Sequence, residues 1–570
     1  MVIEMYENLI RELSPKPKFN LKWYNHQDSY SEGEIEDLII KLIAENEPED
    51  YVQAIADNYC WSTYYHLTHV RKNILNWYPF SEDASVLEIG CGMGAITNML
   101  CEKCRDVTAV ELSQKRATGA LLRCREKENL EIIVGNLNDI QFQKKFDYIT
   151  LIGVLEYQGS YTDTANPYCD FLKKIRGLLK KDGKLLIAIE NQYGLKYWCG
   201  AREDHTGVPF DGMNQYSLTD NKVRTFSKEG LDRLIKSAGF QHTYFYYPMP
   251  DYKLPTVVYS QNSLPQNETL GNADLYYIPN NSTMIADEKS IYKDVIQNGV
   301  FEFFANSFLV ECSDSDCLGE VTFATLPTAR QKEYQVGTKF TAHSEVIKFP
   351  LGSTQTAHIR QILKNESGLK ERGIHVWGSE AVGQELHSPF LKAETLDNII
   401  LKEYDKYNAE GIYAIFDRIY SEICTSSEEA PWQDNILYTF DLGVVPDKDK
   451  FGKILKTGCI DMLPRNAFWH EETIYWFDQE WVLENVPAGY IMFRVLREFF
   501  LTCPNLNNTV SLSELILRYQ LFEGWEDYRR LEDIFMGVIV DALSVSENSH
   551  FCSGDTQQVA VANIGRLLNG

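Results

Sequence analysis

Short apolar runs of about four to eight residues alternate, over the first half of the chain, with segments whose apolar positions recur every three or four residues. That alternation predicts strand, helix, strand, helix, and so an α/β fold around a parallel sheet. The clearest unit begins at Ser85, where SVLEIGCGMGAITNML reads as a buried strand, a tight glycine turn and a helix. The runs DVTAVELS, EIIVGN and FDYITLIGVLEY supply three more strands. FLKKIRGLLKKDGKLLIAIEN follows as a helix with a basic outer face, a turn at Lys181-Asp182-Gly183 and a buried strand.

Glycines suit that first turn because the backbone must fold sharply against a ligand while the helix start offers unpaired N–H groups. The glycines alone leave two cradles open. Gly90, Gly92 and Ala95 fit a variant of the dinucleotide fingerprint of nicotinamide enzymes, and Glu88-x-Gly90-x-Gly92-x-Gly94 fits a cradle for S-adenosylmethionine. Glu88 favours the second. It stands two positions before Gly90, where a dinucleotide domain normally places an apolar side chain. A carboxylate there needs a partner to offset a desolvation cost of roughly several kcal/mol, and the cationic amino-acid end of S-adenosylmethionine is one. Glu111, ending the second strand, is placed to accept from ribose hydroxyls of either cofactor. Asn136 ends the third strand near an adenine edge, and Gly153 and Glu156 reach the rim where doubly wound sheets bind ligands.

In order and spacing these motifs resemble the class I S-adenosylmethionine-dependent methyltransferase family over roughly residues 55–310. The resemblance implies a Rossmann-like seven-stranded sheet with one late strand antiparallel, its last two strands falling at 243–248 and 300–312. It also implies an acceptor lid after the fifth strand, at NQYGLKYWCGAREDHTGVPF (191–210). There Arg202 and His205 are candidates to hold or deprotonate an acceptor, Glu203 and Asp204 to bind hydroxyls, and Tyr193, Tyr197 and Trp198 to stack on a sugar face. A lid packed by its own aromatics, with a surface charge cluster, is the alternative. Upstream, CWSTYYHLTHVR (60–71), with Tyr65 and His66, is placed to close over the cofactor.

The carboxy-terminal half changes character. GCIDMLPRNAFWHEETIYWFDQEW (458–481) sets Asp461 five positions before Asn466, then a hairpin-like pair of strands before Asp478. That spacing matches the catalytic loop and metal-binding aspartate of kinase-like phosphotransferases. Asp461 would orient the acceptor hydroxyl, Asn466 and Asp478 would hold magnesium against ATP, and Lys348 in SEVIKFPL would pair with phosphate oxygens. No glycine-rich loop precedes Lys348, Cys459 replaces the usual histidine, and Glu366 is the nearest helix glutamate for Lys348. The order methyltransferase then kinase resembles the bifunctional methyltransferase/kinase of O-antigen chain termination and related surface-glycan methyltransferases. That resemblance implies a glycan or sugar-phosphate substrate and a glycosyltransferase as partner. The alternative is a single-activity methyltransferase whose second half only binds substrate or a partner.

The expected organisation is a helical extension over 1–54, a methyltransferase domain over 55–315, a kinase-like domain over 316–500 and a helical segment over 501–570. A polar stretch beginning at Ser260 reads as an excursion before the last methyltransferase strand. The 570 residues suit two or three domains, and 44% hydrophobic with 24% charged residues is an ordinary globular balance. A formal net charge of −26 disfavours nucleic acid as a partner. Thirteen scattered cysteines and an amino terminus without basic and apolar leader regions point to a reducing cytoplasm. No apolar stretch is long enough to predict a membrane span.

Overall fold

The computed structural model describes residues 17–26, 28, 32–266, 283–352, 354–439, 443–551 and 556–569. Two compact units divide the chain: Met1–Ala329 with Lys339–His343 and Ala542–Gly570, and Arg330–Thr338 with Ser344–Asp541.

The first unit is built on a sheet of strands β1 (Lys18–Trp23), β2 (Ser85–Ile89), β3 (Asp106–Glu111), β4 (Leu130–Gly135), β5 (Phe146–Ile152), β6 (Leu179–Glu190), β7 (His242–Met249), β8 (Val257–Ser260), β9 (Ser307–Ser313) and β10 (Val321–Thr325). Their order is β1-β4-β3-β2-β5-β6-β9-β7-β8-β10. Strands β1 to β6 pair parallel, and β9 runs antiparallel between β6 and β7. The seven strands from β4 to β7 therefore have the arrangement that the resemblance implied. Buried Leu87, Ile149, Leu185 and Val310 on one face, and Val86, Leu186 and Leu309 on the other, give the sheet a core on both faces, as parallel sheets covered by helices require. The helices that bear on the site are α1 (Ile35–Glu45), α2 (Trp61–Leu67), α3 (Ala95–Lys103), α4 (Gln114–Arg123) and the one-turn α5 (Leu195–Trp198).

Several details depart from the sequence expectations. Residues 1–54 are not purely helical, because Lys18–Trp23 adds an edge strand parallel to β4. The turn at 181–183 lies within β6: Phe146 pairs with Leu179 and Tyr148 with Lys184, so the extra residues form a bulge rather than a strand break. The strand expected from 300 begins at Ser307, since Phe301–Phe304 makes one helical turn; a short apolar run does not distinguish the two by period. Strands β8 and β10 carry the sheet past the boundary expected at 315. Of the polar stretch after Ser260, residues 267–282 lie outside the described residues.

The second unit begins at Arg330 and takes in the first half of β11 (Val336–Thr341), then β12 (Glu345–Pro350), followed by α6 (Thr356–Glu371) and the hairpin of β13 (Glu380–Val382) with β14 (Glu385–Pro389). Strand β14 also pairs antiparallel with β12. Further along, β15 (Glu394–Thr395), β17 (Ala467–His470) and β18 (Thr473–Trp476) form one small sheet, and β16 (Ile454–Cys459) with β19 (Val482–Pro487) forms another. Helices α7 (Ala409–Thr425), α8 (Ala488–Thr502) and α9 (Trp525–Ile539) bury Phe416, Ile491 and Leu531 in one core with Trp476. No break falls at residue 500: Arg494 and Tyr490 of α8 both bond Glu532 of α9. Residues from Ala542 belong instead to the first unit, where the Asn563 amide donates to the Met284 carbonyl. Among the described residues no helix is long and apolar enough to cross a membrane.

Candidate active site

At the carboxyl ends of β2, β5 and β6 a cavity of roughly 270 Å3 opens in the first unit. Strand β2 delivers Glu88 to it, and the turn that follows delivers Gly90 and Gly92. Gly92 has φ of +53°, and a side chain placed there would meet nothing within 4 Å, so it would project into open space at the cavity wall. Gly94, the residue before α3, has φ of +81°, and a Cβ there would lie 2.8 Å from the Ala120 backbone. Its smallness lets α3 approach α4; that is packing, not ligand contact.

Glu88 is buried, and one oxygen accepts from the Thr97 hydroxyl at 2.6 Å. Among the described residues no ion pair reaches it. Burial therefore pushes its carboxyl up to about 7, against the pull of the Thr97 bond and of Arg71. A buried acid without a cation beside a bare backbone turn is what a cationic ligand fits. Arg71 lines the same wall, held by the Tyr252 and Lys253 carbonyls and stacked over the Tyr65 ring.

The opposite wall is a buried cluster of charge. His205 lies with Nδ1 2.9 Å from Glu203 Oε1, while its Nε2 faces Glu156 at 3.7 Å and Glu190 at 3.9 Å. Lys253 joins Glu190 to Asp204, and Lys196 joins Asp204 to Asp251. Burial raises the Glu156 carboxyl. For Glu190 burial acts the same way, but Lys253 and His205 outweigh it and hold the carboxyl down. Burial alone would lower His205, yet Glu190, Glu156 and Glu203 raise it well above the ordinary imidazole range.

Residues 87–187 match the family described as "Methyltransferase domain". Relatives include a malonyl-[acyl-carrier protein] O-methyltransferase of Priestia megaterium, 28% identical over 124 residues, which are 21% of this chain and 42% of that protein. An uncharacterized methyltransferase of Staphylococcus carnosus is 33% identical over 116 residues, 20% of this chain and 52% of that one. The chain thus spans about half the length of these relatives. A solved putative methyltransferase in complex with the Haloferax volcanii Trm112 activator has 15% identity and a TM-score of 0.30, covering 47% of this chain and 95% of that one. The first unit carries a class I S-adenosylmethionine-dependent methyltransferase domain.

Within the methyltransferase domain, Glu88, Gly90, Gly92, Gly153, Asp204 and His205 line one cavity, and Glu203 stands directly behind His205. Other candidates are placed elsewhere. Glu111 is buried and accepts from the backbone N–H of Gly92, Leu112 and Ser113, so it braces the glycine turn. The Asn136 amide donates to the Tyr161 carbonyl, and its oxygen accepts from Asn138 N–H. Tyr193 stacks on Phe303 at 5.4 Å. Arg202 is a correction to the expected acceptor contact: it is exposed, and its guanidinium donates to the Gly207 carbonyl at 3.2 Å. Trp198 is 49% exposed and Tyr197 donates to Asp204, so neither offers a free ring face to the cavity. His66 lines the cavity, its basicity lowered by burial, and accompanies Tyr65 from α2. Arg71, Glu190 and Lys253 are among the cavity residues that sequence reasoning did not select. Glu190 was visible as an acid closing an apolar strand, the signal that picked out Glu88 and Glu111.

In the second unit Lys348 of β12 lies 2.6 Å from Asp478 and 2.8 Å from Glu480, while Arg330 and His358 flank Glu480. Glu366 on α6 does not pair with Lys348 and instead accepts from the Ser379 N–H and hydroxyl. The Asn466 amide donates to the Asp461 carbonyl at 3.2 Å. Asp461 itself faces inward. One carboxylate oxygen accepts from Glu480 and Trp481 N–H, and the other lies 3.3 Å from Arg494. Burial pushes its carboxyl up to about 6.

Proposed function

We propose that this chain transfers the methyl group of S-adenosylmethionine to a hydroxyl of a glycan-type acceptor. The observation that carries the reading is the pairing, in one cavity, of the bare Gly92 turn with the cation-lacking Glu88. When bound, S-adenosylmethionine supplies an electrophilic methyl on a sulfonium. Glu88 would hold the cationic amino-acid end, and the Arg71 guanidinium would hold its carboxylate. Methyl transfer is an in-line displacement, so alignment and exclusion of water do most of the work. Trp61 and Tyr65 of α2, with Tyr157, close that side.

The acidic wall bears on the acceptor. Oxygens of Glu156 and Glu190 that have no hydrogen-bond donor would accept from sugar hydroxyls and, with no cation between them, repel a phosphate dianion. This favours a neutral polyol over a sugar phosphate. His205, braced by Glu203 and kept basic by the carboxylates around it, stands where it would hold and orient an acceptor hydroxyl.

For the second unit we infer a kinase-like module in which Lys348 and Asp478 hold ATP and magnesium. The close Lys348–Asp478 pair and the Asn466 contact with the Asp461 backbone favour it. The inward-turned Asp461 carboxylate instead favours a non-catalytic binding module.

The test is incubation of the full chain with methyl-labelled S-adenosylmethionine, ATP, magnesium and a panel of oligosaccharides and sugar phosphates, read by mass spectrometry. A methyl ether on a neutral sugar is expected. Methyl label confined to phosphate, or no label on any glycan, would overturn the acceptor assignment. Nucleotide binding lost in Asp478→Asn supports the kinase-like reading, and absence of ATP binding in the wild type contradicts it.

A further inference from the structure

We propose that Glu156, Glu190 and His205 form a binding site for a divalent metal ion. One ligand atom from each lies within 4.8 Å of the other two. Bonds of roughly 2.1 Å set neighbouring ligands on one ion about 3.0 to 3.4 Å apart in octahedral or tetrahedral geometry. The 3.7 Å and 3.9 Å separations of His205 Nε2 from Glu156 and Glu190 are wider than that by less than about 1 Å, so side-chain rotations that draw the carboxylates inward would close the site.

Three observations point to a cation rather than to a chance gathering of acids. Glu156 and Glu190 are 1% and 0% exposed, and each keeps an Oε2 with no hydrogen-bond partner. A buried carboxylate oxygen left without a donor is costly, and a metal ion removes that cost. His205 is already oriented as a ligand: Glu203 holds Nδ1, leaving Nε2 toward the two carboxylates, the carboxylate–histidine arrangement that backs many metal sites. Glu203 is itself fixed by the His205 and Thr206 N–H groups, both at 2.7 Å, and by the Tyr216 hydroxyl. Charge also favours a cation. With His205 neutral, as a metal ligand must be, the network holds five carboxylates, those of Glu156, Glu190, Glu203, Asp204 and Asp251, against two ammonium groups, those of Lys196 and Lys253.

One imidazole nitrogen with two carboxylates suits Mn2+, Fe2+, Co2+ or Zn2+. All three ligands line the cavity, so an ion there would keep positions open toward an acceptor. Holding an acceptor hydroxyl in such a position is the role we assign it, and that role alone rests on the methyl-transfer reading. A proton on His205, bridging the two glutamates, is the competing occupant.

The experiment uses the full chain, stripped with a chelator and titrated with Mn2+ alone, with bound metal followed by electron paramagnetic resonance and Zn2+ tested by competition. One Mn2+ per chain is expected, with nitrogen hyperfine coupling from one imidazole. Glu156→Gln and Glu190→Gln should each weaken binding by more than about 100-fold, and Glu203→Gln by roughly 10- to 100-fold. Thermal unfolding of each variant verifies the fold, and the hyperfine signal tests His205 in the wild type without any substitution. Absence of stoichiometric Mn2+ and Zn2+ binding, a bound ion without nitrogen coupling, or unchanged affinity in folded Glu190→Gln would overturn the site. Wild-type S-adenosylmethionine calorimetry in parallel separates the readings: metal bound without cofactor contradicts methyl transfer, and cofactor bound without metal contradicts only the metal site.

Discussion

The two units place acids at strand ends in similar ways and treat them differently. In the first, Glu88 and Glu190 stand at the ends of β2 and β6 and Glu156 follows β5, and all three line an open cavity. In the second, Asp461 follows β16 and is enclosed by two backbone N–H groups and Arg494, while Lys348 spans Asp478 and Glu480. The residue type and the strand end are common to both. What differs is how completely partners close the acid off: two backbone N–H groups and Arg494 engage both oxygens of Asp461, whereas Glu190, although paired with Lys253, keeps one oxygen without a donor, and no ion pair among the described residues reaches Glu88.

The largest effect should come from filling the cradle. Gly92→Leu forces a branched side chain into a φ of +53° and into the cavity, and calorimetry should show no detectable S-adenosylmethionine binding. Next is the enclosed acid. Asp461→Ala removes one of the two carboxylates beside the buried Arg494, which keeps Glu532 and the Ile460 carbonyl, and strips the acceptor from the Glu480 and Trp481 N–H groups, and thermal or urea unfolding should show a loss of roughly 3–5 kcal/mol. A loss under about 1 kcal/mol would mean that Asp461 is not the internal counter-ion described here.

A smaller effect should follow pH. The Glu88 carboxyl stands near 7 in the folded protein against an ordinary 4.5, so the native state keeps its proton longer than the unfolded chain. Its contribution to stability therefore falls as pH rises from about 4.5 to 7, by roughly 3 kcal/mol at most. Cofactor affinity runs the other way: a cationic ligand pairs with the ionised form, so affinity should rise through pH 6 to 7 and level off above it. Calorimetry in buffers of different ionisation enthalpy should register proton release near pH 6.5 and little at pH 8. The smallest effect is expected at Arg202. Arg202→Ala removes an exposed contact to Gly207 and should change cofactor affinity and stability by less than about 0.5 kcal/mol.

Legibility followed the range of the interactions. The strand β2, its glycine turn and α3 are encoded locally, within 85–103, where the apolar run and glycines leave few alternatives, and they stand where the sequence pattern puts them. The cluster around His205 was half legible. Glu203, Asp204 and His205 are neighbours in a run dense in ionisable residues. Their partners Glu190 and Lys253 arrive from β6 and from beyond β7, and only the sheet order brings them together. Arg202 illustrates the converse. Its neighbour Glu203 is buried while Arg202 points outward, and spacing alone does not say which residue of a charged run turns inward. Strands β1, β8 and β10 were missed because their short runs resemble loops or helix starts until a neighbouring strand pairs with them.

The central claim is that Glu88 and the bare turn beside it grip a cationic methyl donor. Titrating S-adenosylmethionine into the full chain at pH 8, and into Glu88→Gln of matched thermal stability, measures that grip directly. The account predicts one site per chain and a loss of affinity of at least roughly 10- to 100-fold in the variant. A wild-type protein that takes up no cofactor, or a variant that binds it equally well, would contradict it.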